Sequence, residues 1–134
     1  MNAASQVQER FKGLLPDHLG IEMTEATQER VVAKLAVRQE VCTVGNSLHG
    51  GAIMAFADTL GAVGTILNLA LGKRTTTTDS STKFIAGARV DTVVTAECLA
   101  LHRGRTTMVW QTSIRNADGK LCAVVTQTQL VLEG

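Results

Sequence analysis

Aromatic residues are scarce: three Phe, one Trp and no Tyr. That excludes a surface on which successive nucleobases stack against rings. Neither sign of charge dominates, with 13 Lys and Arg against 12 Asp and Glu, so the basic surplus that phosphate backbones require is also missing. Both observations argue against nucleic acid as a partner. The three cysteines, Cys42, Cys98 and Cys122, are odd in number, far apart and free of CxxC spacing. A disulfide framework and a zinc knuckle are disfavoured, and a reducing, cytoplasmic setting is expected. With one proline and few polar tracts, no linker or disordered stretch is indicated. The longest apolar run, 52–71, carries Asp58, Thr59, Thr65 and Asn68, which suits a buried helix better than a membrane span. The opening MNAASQVQERF is polar and charged, unlike the apolar core of a signal peptide.

What is present fits one domain over residues 1–134. Residues 1–15 read as a short amphipathic helix, with Ser5 and Gln8 as a capping box, broken at Pro16-Asp17. Extended segments follow at 20–25 and 30–38, then a loop over 39–48. A long helix is expected over 51–71, closed by Gly72 with Lys73 and Arg74 at its negative end. Four strand-like segments, 75–84, 91–102, 105–116 and 120–132, complete the chain, with tight turns at His102-Arg103-Gly104 and Asn116-Ala117-Asp118-Gly119. A helix apolar on nearly every side needs cover all round. A curved antiparallel sheet wrapped about it supplies most of that cover, and a second copy of the chain supplies the rest.

The chemistry concentrates on this helix. Asp58 lies in its interior, where an unpaired buried carboxylate is costly. Its helical neighbours Ala55, Gly61, Ala62 and Thr65 are small, so the carboxylate is expected to face open space. The competing reading is a structural Asp satisfied by a hydroxyl such as that of Thr59. His49-Gly50-Gly51 opens the helix, where free amides and the helix dipole favour developing negative charge. Taken alone, that segment is also an ordinary glycine-permitted turn. Gly51 and Asp58 are seven residues apart, so they are separated by about 10 Å along the axis. One substrate carbonyl cannot reach both in a single helix. Two copies packed antiparallel remove the difficulty, and Gly61 and Gly64 are expected to permit that close helix contact.

The string from Asn46 to Asp58, NSLHGGAIMAFAD, resembles the signature of PaaI-like acyl-CoA thioesterases, which have the hotdog fold. The resemblance runs from about residue 20 to residue 132 and implies an α+β fold, a curved antiparallel sheet around one central helix. It implies hydrolysis of an aryl- or medium-chain acyl-CoA to free acid and CoA, with no metal or redox cofactor. It implies that the Gly51 N–H stabilises the oxyanion and that Asp58 of the other subunit acts as general base or nucleophile. Gly50 and His49 would help to seat the thioester, and Thr77, two residues before Asp79, would assist the acid. The family usually carries Asn or Gln six residues before the His; here that position is Thr43, and either Thr43 or Asn46, three before the His, is a candidate for the same role. Arg89, Arg103 and Arg105, at strand ends or turns, are candidates for the CoA phosphates as well as for ordinary solvated cations. A homodimer, assembled further as a dimer of dimers, is expected. The rival readings are a non-catalytic acyl-CoA-binding module, which would lack the acid, and a dehydratase or isomerase, which pairs its His and acid differently.

Overall fold

The computed structural model describes residues 2–134. Helices α1 (Ala3–Arg10) and α2 (Leu15–Leu19) lead into strands β1 (Ile21–Ala26) and β2 (Arg30–Ala36). A loop with a small hairpin, β3 (Cys42–Thr43) and β4 (Ser47–Leu48), opens the central helix α3 (Gly50–Ile66). Strands β5 (Arg74–Phe84), β6 (Val93–Arg103), β7 (Thr107–Arg115) and β8 (Leu121–Leu132) follow. Six of the strands form one antiparallel sheet in the order β1-β2-β6-β7-β8-β5, so β5 is an edge strand.

Alternation along each strand decides which side chains meet α3. On β7 the buried set is Met108, Trp110, Thr112 and Ile114; on β8 it includes Ala123, Val125, Gln127 and Gln129. These pack against Ile53, Phe56, Ala57, Leu60 and Val63 of the helix, all buried. The other helix face stays open: Gly51, Met54 and Ile66 are exposed, and Ala55, Asp58, Thr59 and Ala62 are half-buried. The sheet therefore covers one side of α3 and leaves a stripe bare.

Several local expectations need correction. The first helix is capped by Asn2, whose Oδ1 accepts the Ser5 N–H at 2.8 Å, so the Ser5–Gln8 capping box does not form. Gln8 instead ties α1 to β1, accepting the Met23 N–H and donating to the Ile21 carbonyl. Pro16 does not merely break a helix; it sits in the first turn of α2, where its missing N–H costs nothing. The central helix ends at Ile66 and not near 71. Asn68 stops it by donating to the carbonyls of Gly64 and Gln28, which pins the helix end to the β1–β2 turn. Gly72 does adopt a left-handed conformation, φ 83°, but in the turn leading into β5. The role expected for Gly61 and Gly64 also changes, because both face their own sheet. A Cβ on Gly61 would lie 2.3 Å from the Gln127 amide, and one on Gly64 2.6 Å from the Trp110 ring. The missing side chains let β7 and β8 approach the helix.

All three cysteines are free thiols. Burial pushes the Cys98 thiol up to about 12, so it stays protonated and unreactive.

Candidate active site

Local backbone chemistry builds the tip of α3. The Asn46 N–H donates to the Thr43 carbonyl, closing a turn in which Asn46 takes φ 60°. The hairpin is held against the segment before β6, with Leu48 N–H on the Ala88 carbonyl and Val90 N–H on the Asn46 carbonyl. His49 is the helix N-cap: its Nδ1 accepts the Gly51 N–H at 2.7 Å. The amide singled out as an oxyanion donor is thus covered by its own chain's imidazole. Gly50 lies under the Phe84 ring, 3.2 Å from where its Cβ would be, beside an open hollow lined by Leu48, Ile53, Ile85 and Gly87. Thr43 and Asn46 are both exposed on the hairpin, and no contact ties either side chain to Asp58 among the described residues.

Asp58 sits two turns along, half-buried on the bare stripe. Its Oδ1 accepts a 2.6 Å hydrogen bond from the Thr77 hydroxyl. The Thr59 hydroxyl, the structural alternative, turns back to the Ala55 carbonyl instead. Thr77 reaches Asp58 from the inner face of β5, just before a bulge between Thr77 and Asp79. The extra residue, Thr78, keeps Thr77, Ser80 and Thr82 on the inner face while Asp79 points outward and is exposed. Behind Thr77 stand two fully buried amides that the sequence reading missed, Gln127 and Gln129. Gln129 Nε2 donates to Thr77 Oγ1 at 2.6 Å and to Gln127 Oε1 at 2.7 Å. Gln127 Nε2 donates to the Ala57 carbonyl at 2.7 Å. Their signal was available: two amides at i, i+2 on the strand face that begins Ala123, Val125.

The candidate arginines are scattered. Arg89 is exposed beside the hairpin, bridged by its backbone to Ser47. Arg103 lies at the opposite end of α3, donating to Asn68 Oδ1 and 3.7 Å from Glu29. Arg105 is exposed in the β6–β7 turn. One chain does not gather the three into a single cluster.

The family model described as "Thioesterase superfamily" matches residues 45–123, which runs from the hairpin turn and β4 through α3 and the bulged β5 to the start of β8. The chain belongs to the thioesterase superfamily. Proofreading thioesterase EntH of Cronobacter turicensis is 31% identical over 113 residues, 82% of this chain and 80% of that one. The structure of a mutant thioesterase from Pseudomonas aeruginosa superposes with a TM-score of 0.93 at 27% identity, covering 98% of this chain and 94% of the other. A hypothetical thioesterase protein of Streptococcus pneumoniae, solved with coenzyme A, matches at TM-score 0.77 and 26% identity over 84% of this chain and 86% of its own. The protein is accordingly a thioester hydrolase with the hotdog fold that its resemblance to PaaI-like thioesterases implied. Within this thioesterase, the tip of α3 and Asp58 lie on one helix face but are held about 10 Å apart along its axis. No helix of the described residues is long and apolar enough to cross a membrane.

Proposed function

We propose that this thioesterase hydrolyses aryl- or medium-chain acyl-CoA to the free acid and CoA, at two composite sites in a homodimer. The observation that carries the reading is Asp58, half-buried on the uncovered face of α3 with Oδ1 already held by Thr77. A carboxylate fixed through one oxygen keeps the other for a water proton or for direct attack. The edge strand β5 and the bare stripe of α3 adjoin, so a two-fold copy placed there pairs both. Antiparallel helices then bring the Gly51 amide of one protomer beside Asp58 of the other. Two pairs associating back to back would give the dimer of dimers.

In the reaction, the thioester oxygen receives the Gly51 N–H and the helix dipole as charge develops on it. His49 must rotate off that amide for the carbonyl to enter, and then flanks the thioester sulfur. Asp58 either deprotonates water, which attacks the carbonyl carbon, or attacks it directly to give a mixed anhydride that water cleaves. The C–S bond breaks and CoA leaves as the thiolate, protonated by Asp58 in the first route and by solvent in the second. The hairpin residues Thr43 and Asn46, with Arg89 beside them, line the entry for the pantetheine and phosphates. Arg103 and Arg105 offer cations at the other end of the helix. The CoA-bound pneumococcal relative supports this substrate class, and the free thiols suit a cytoplasmic setting.

A thiol-release assay over aryl and aliphatic acyl-CoAs tests the reading, with Asp58→Asn as the control. Turnover should fall by about 10³-fold or more in the variant while fold and assembly persist. Wild-type rates in a folded Asp58→Asn protein would remove Asp58 from the chemistry. Acyl-CoA binding without turnover by the unaltered protein would leave a binding module. Single turnover in oxygen-18 water tests for the anhydride: label in the Asp58 carboxylate requires that route, with water attacking the Asp58 carboxyl carbon.

A further inference from the structure

Two glutamine side chains in the core of a small domain require an explanation. Gln127 and Gln129 are both fully buried, on a strand face that begins with Ala123 and Val125. A buried amide stabilises nothing that a hydrocarbon of the same shape would not, and it must be hydrogen-bonded to avoid a penalty. Here every polar contact runs in one direction. The Ala57 carbonyl can only accept, so it orients the Gln127 Nε2 toward itself. That turns Gln127 Oε1 toward Gln129, which meets it with an N–H. The second N–H of Gln129 goes to Thr77 Oγ1, while its Oε1 lies 3.0 Å from the Thr75 hydroxyl, whose one proton is shared with the Leu130 carbonyl at 2.8 Å. Thr77, whose oxygen is engaged, has one proton left, and it points at Asp58 Oδ1. The path starts at Ala57 and returns to its neighbour Asp58, a closed circuit from helix through β8 and β5 and back to helix.

We propose that Gln129, oriented by Gln127, is a positioning residue of the hydrolysis: it forces the Thr77 hydroxyl to donate to Asp58 and so holds that carboxylate in one rotamer with its second oxygen free. The idea rests on the role given to Asp58 above. Gly61 belongs to the same device, because any side chain there would collide with the Gln127 amide, with a Cβ 2.3 to 2.5 Å from its three terminal atoms. Ordering a reacting group in advance lowers the barrier without adding a contact to substrate. The expected signature is therefore on kcat and not on KM.

The test uses the full chain and the thiol-release assay. Gln129→Met, close in shape, should lower kcat about tenfold and leave KM within about twofold. Thr77→Val should cost about the same, and Gln129→Met added to it should cost nothing more, because Gln129 acts only through Thr77. Thr77→Ser should keep most of the rate, since it retains the hydroxyl. A plug that merely fills the core would give losses that multiply in the double variant, or none. Wild-type kcat in folded Gln129→Met, or multiplying losses, overturns the proposal. Should Gln129→Met unfold, Gln127→Leu with Gln129→Met leaves no orphaned amide and replaces the single variant in the same comparison, with the same outcomes deciding. Failure of the Asp58 reading is separate: it shows as undiminished turnover in Asp58→Asn, whereas loss there with no loss at Gln129 sinks the circuit alone.

Discussion

The first turn of α3 and its middle differ in how finished they are. At the tip, Gly51 is exposed and its amide is covered only by the adjacent His49 ring, a contact made within three residues of chain. At the middle, Asp58 is held by side chains that come from β5 and β8, far away in sequence. One half of the site is assembled by the tertiary fold of a single chain, and the other is a capped helix end awaiting a visitor. On the proposed mechanism the acid needs a fixed rotamer before substrate arrives, whereas an amide at a helix terminus is aimed by the backbone itself.

The largest effect expected from this contrast is complementation. Asp58→Ala and Gly51→Pro variants should each be inactive alone. After subunit exchange in equal amounts, half the dimers are mixed and each mixed dimer keeps one intact site, so about a quarter of wild-type activity should return. A dead mixture with exchange demonstrated by mass spectrometry would show that tip and acid do not belong to different protomers. A smaller effect concerns the packed side of the helix. Gly64→Ala pushes a methyl into the Trp110 ring and should cost about 1–3 kcal/mol in chemical denaturation. An unchanged midpoint would mean that the sheet yields there. The smallest effect belongs to the tip: His49→Ala removes a cap and should cost about 1 kcal/mol by the same measurement. A loss as large as that for Gly64→Ala would show the tip to be as firmly built as the middle.

Periodicity and turn chemistry made most of the fold legible. The six long strands fall within two or three residues of their expected positions, because Val- and Thr-rich alternation and the HRG and NADG turns are local signals. The β3–β4 hairpin and α2 were not read, being too short for either period. The helix end was missed because Asn68 stops α3 through a bond to Gln28, a contact 40 residues away. At the site, Gly51 and Asp58 are legible from their places on the helix, and the family resemblance, carried over by counting back from Asp79, points to Thr77, which meets Asp58 beside the β5 bulge. Gln127 and Gln129 escaped attention because a glutamine in a strand reads as solvent-facing until its neighbours show which side it faces. Gly61 and Gly64 suit a partner helix by sequence, whereas their space is filled by Gln127 and Trp110, 66 and 46 positions on.

The indole that fills the space over Gly64 has a further use. Trp110 is the lone tryptophan in a chain without tyrosine, fully enclosed, with Nε1 donating to the Thr65 hydroxyl. Ultraviolet emission from this protein therefore comes from a single dry fluorophore seated between helix and sheet. Its colour should stay blue as long as that seat holds and move red in one step when it opens. That gives an optical readout of core integrity, on the side of the helix away from Asp58, for every variant described above.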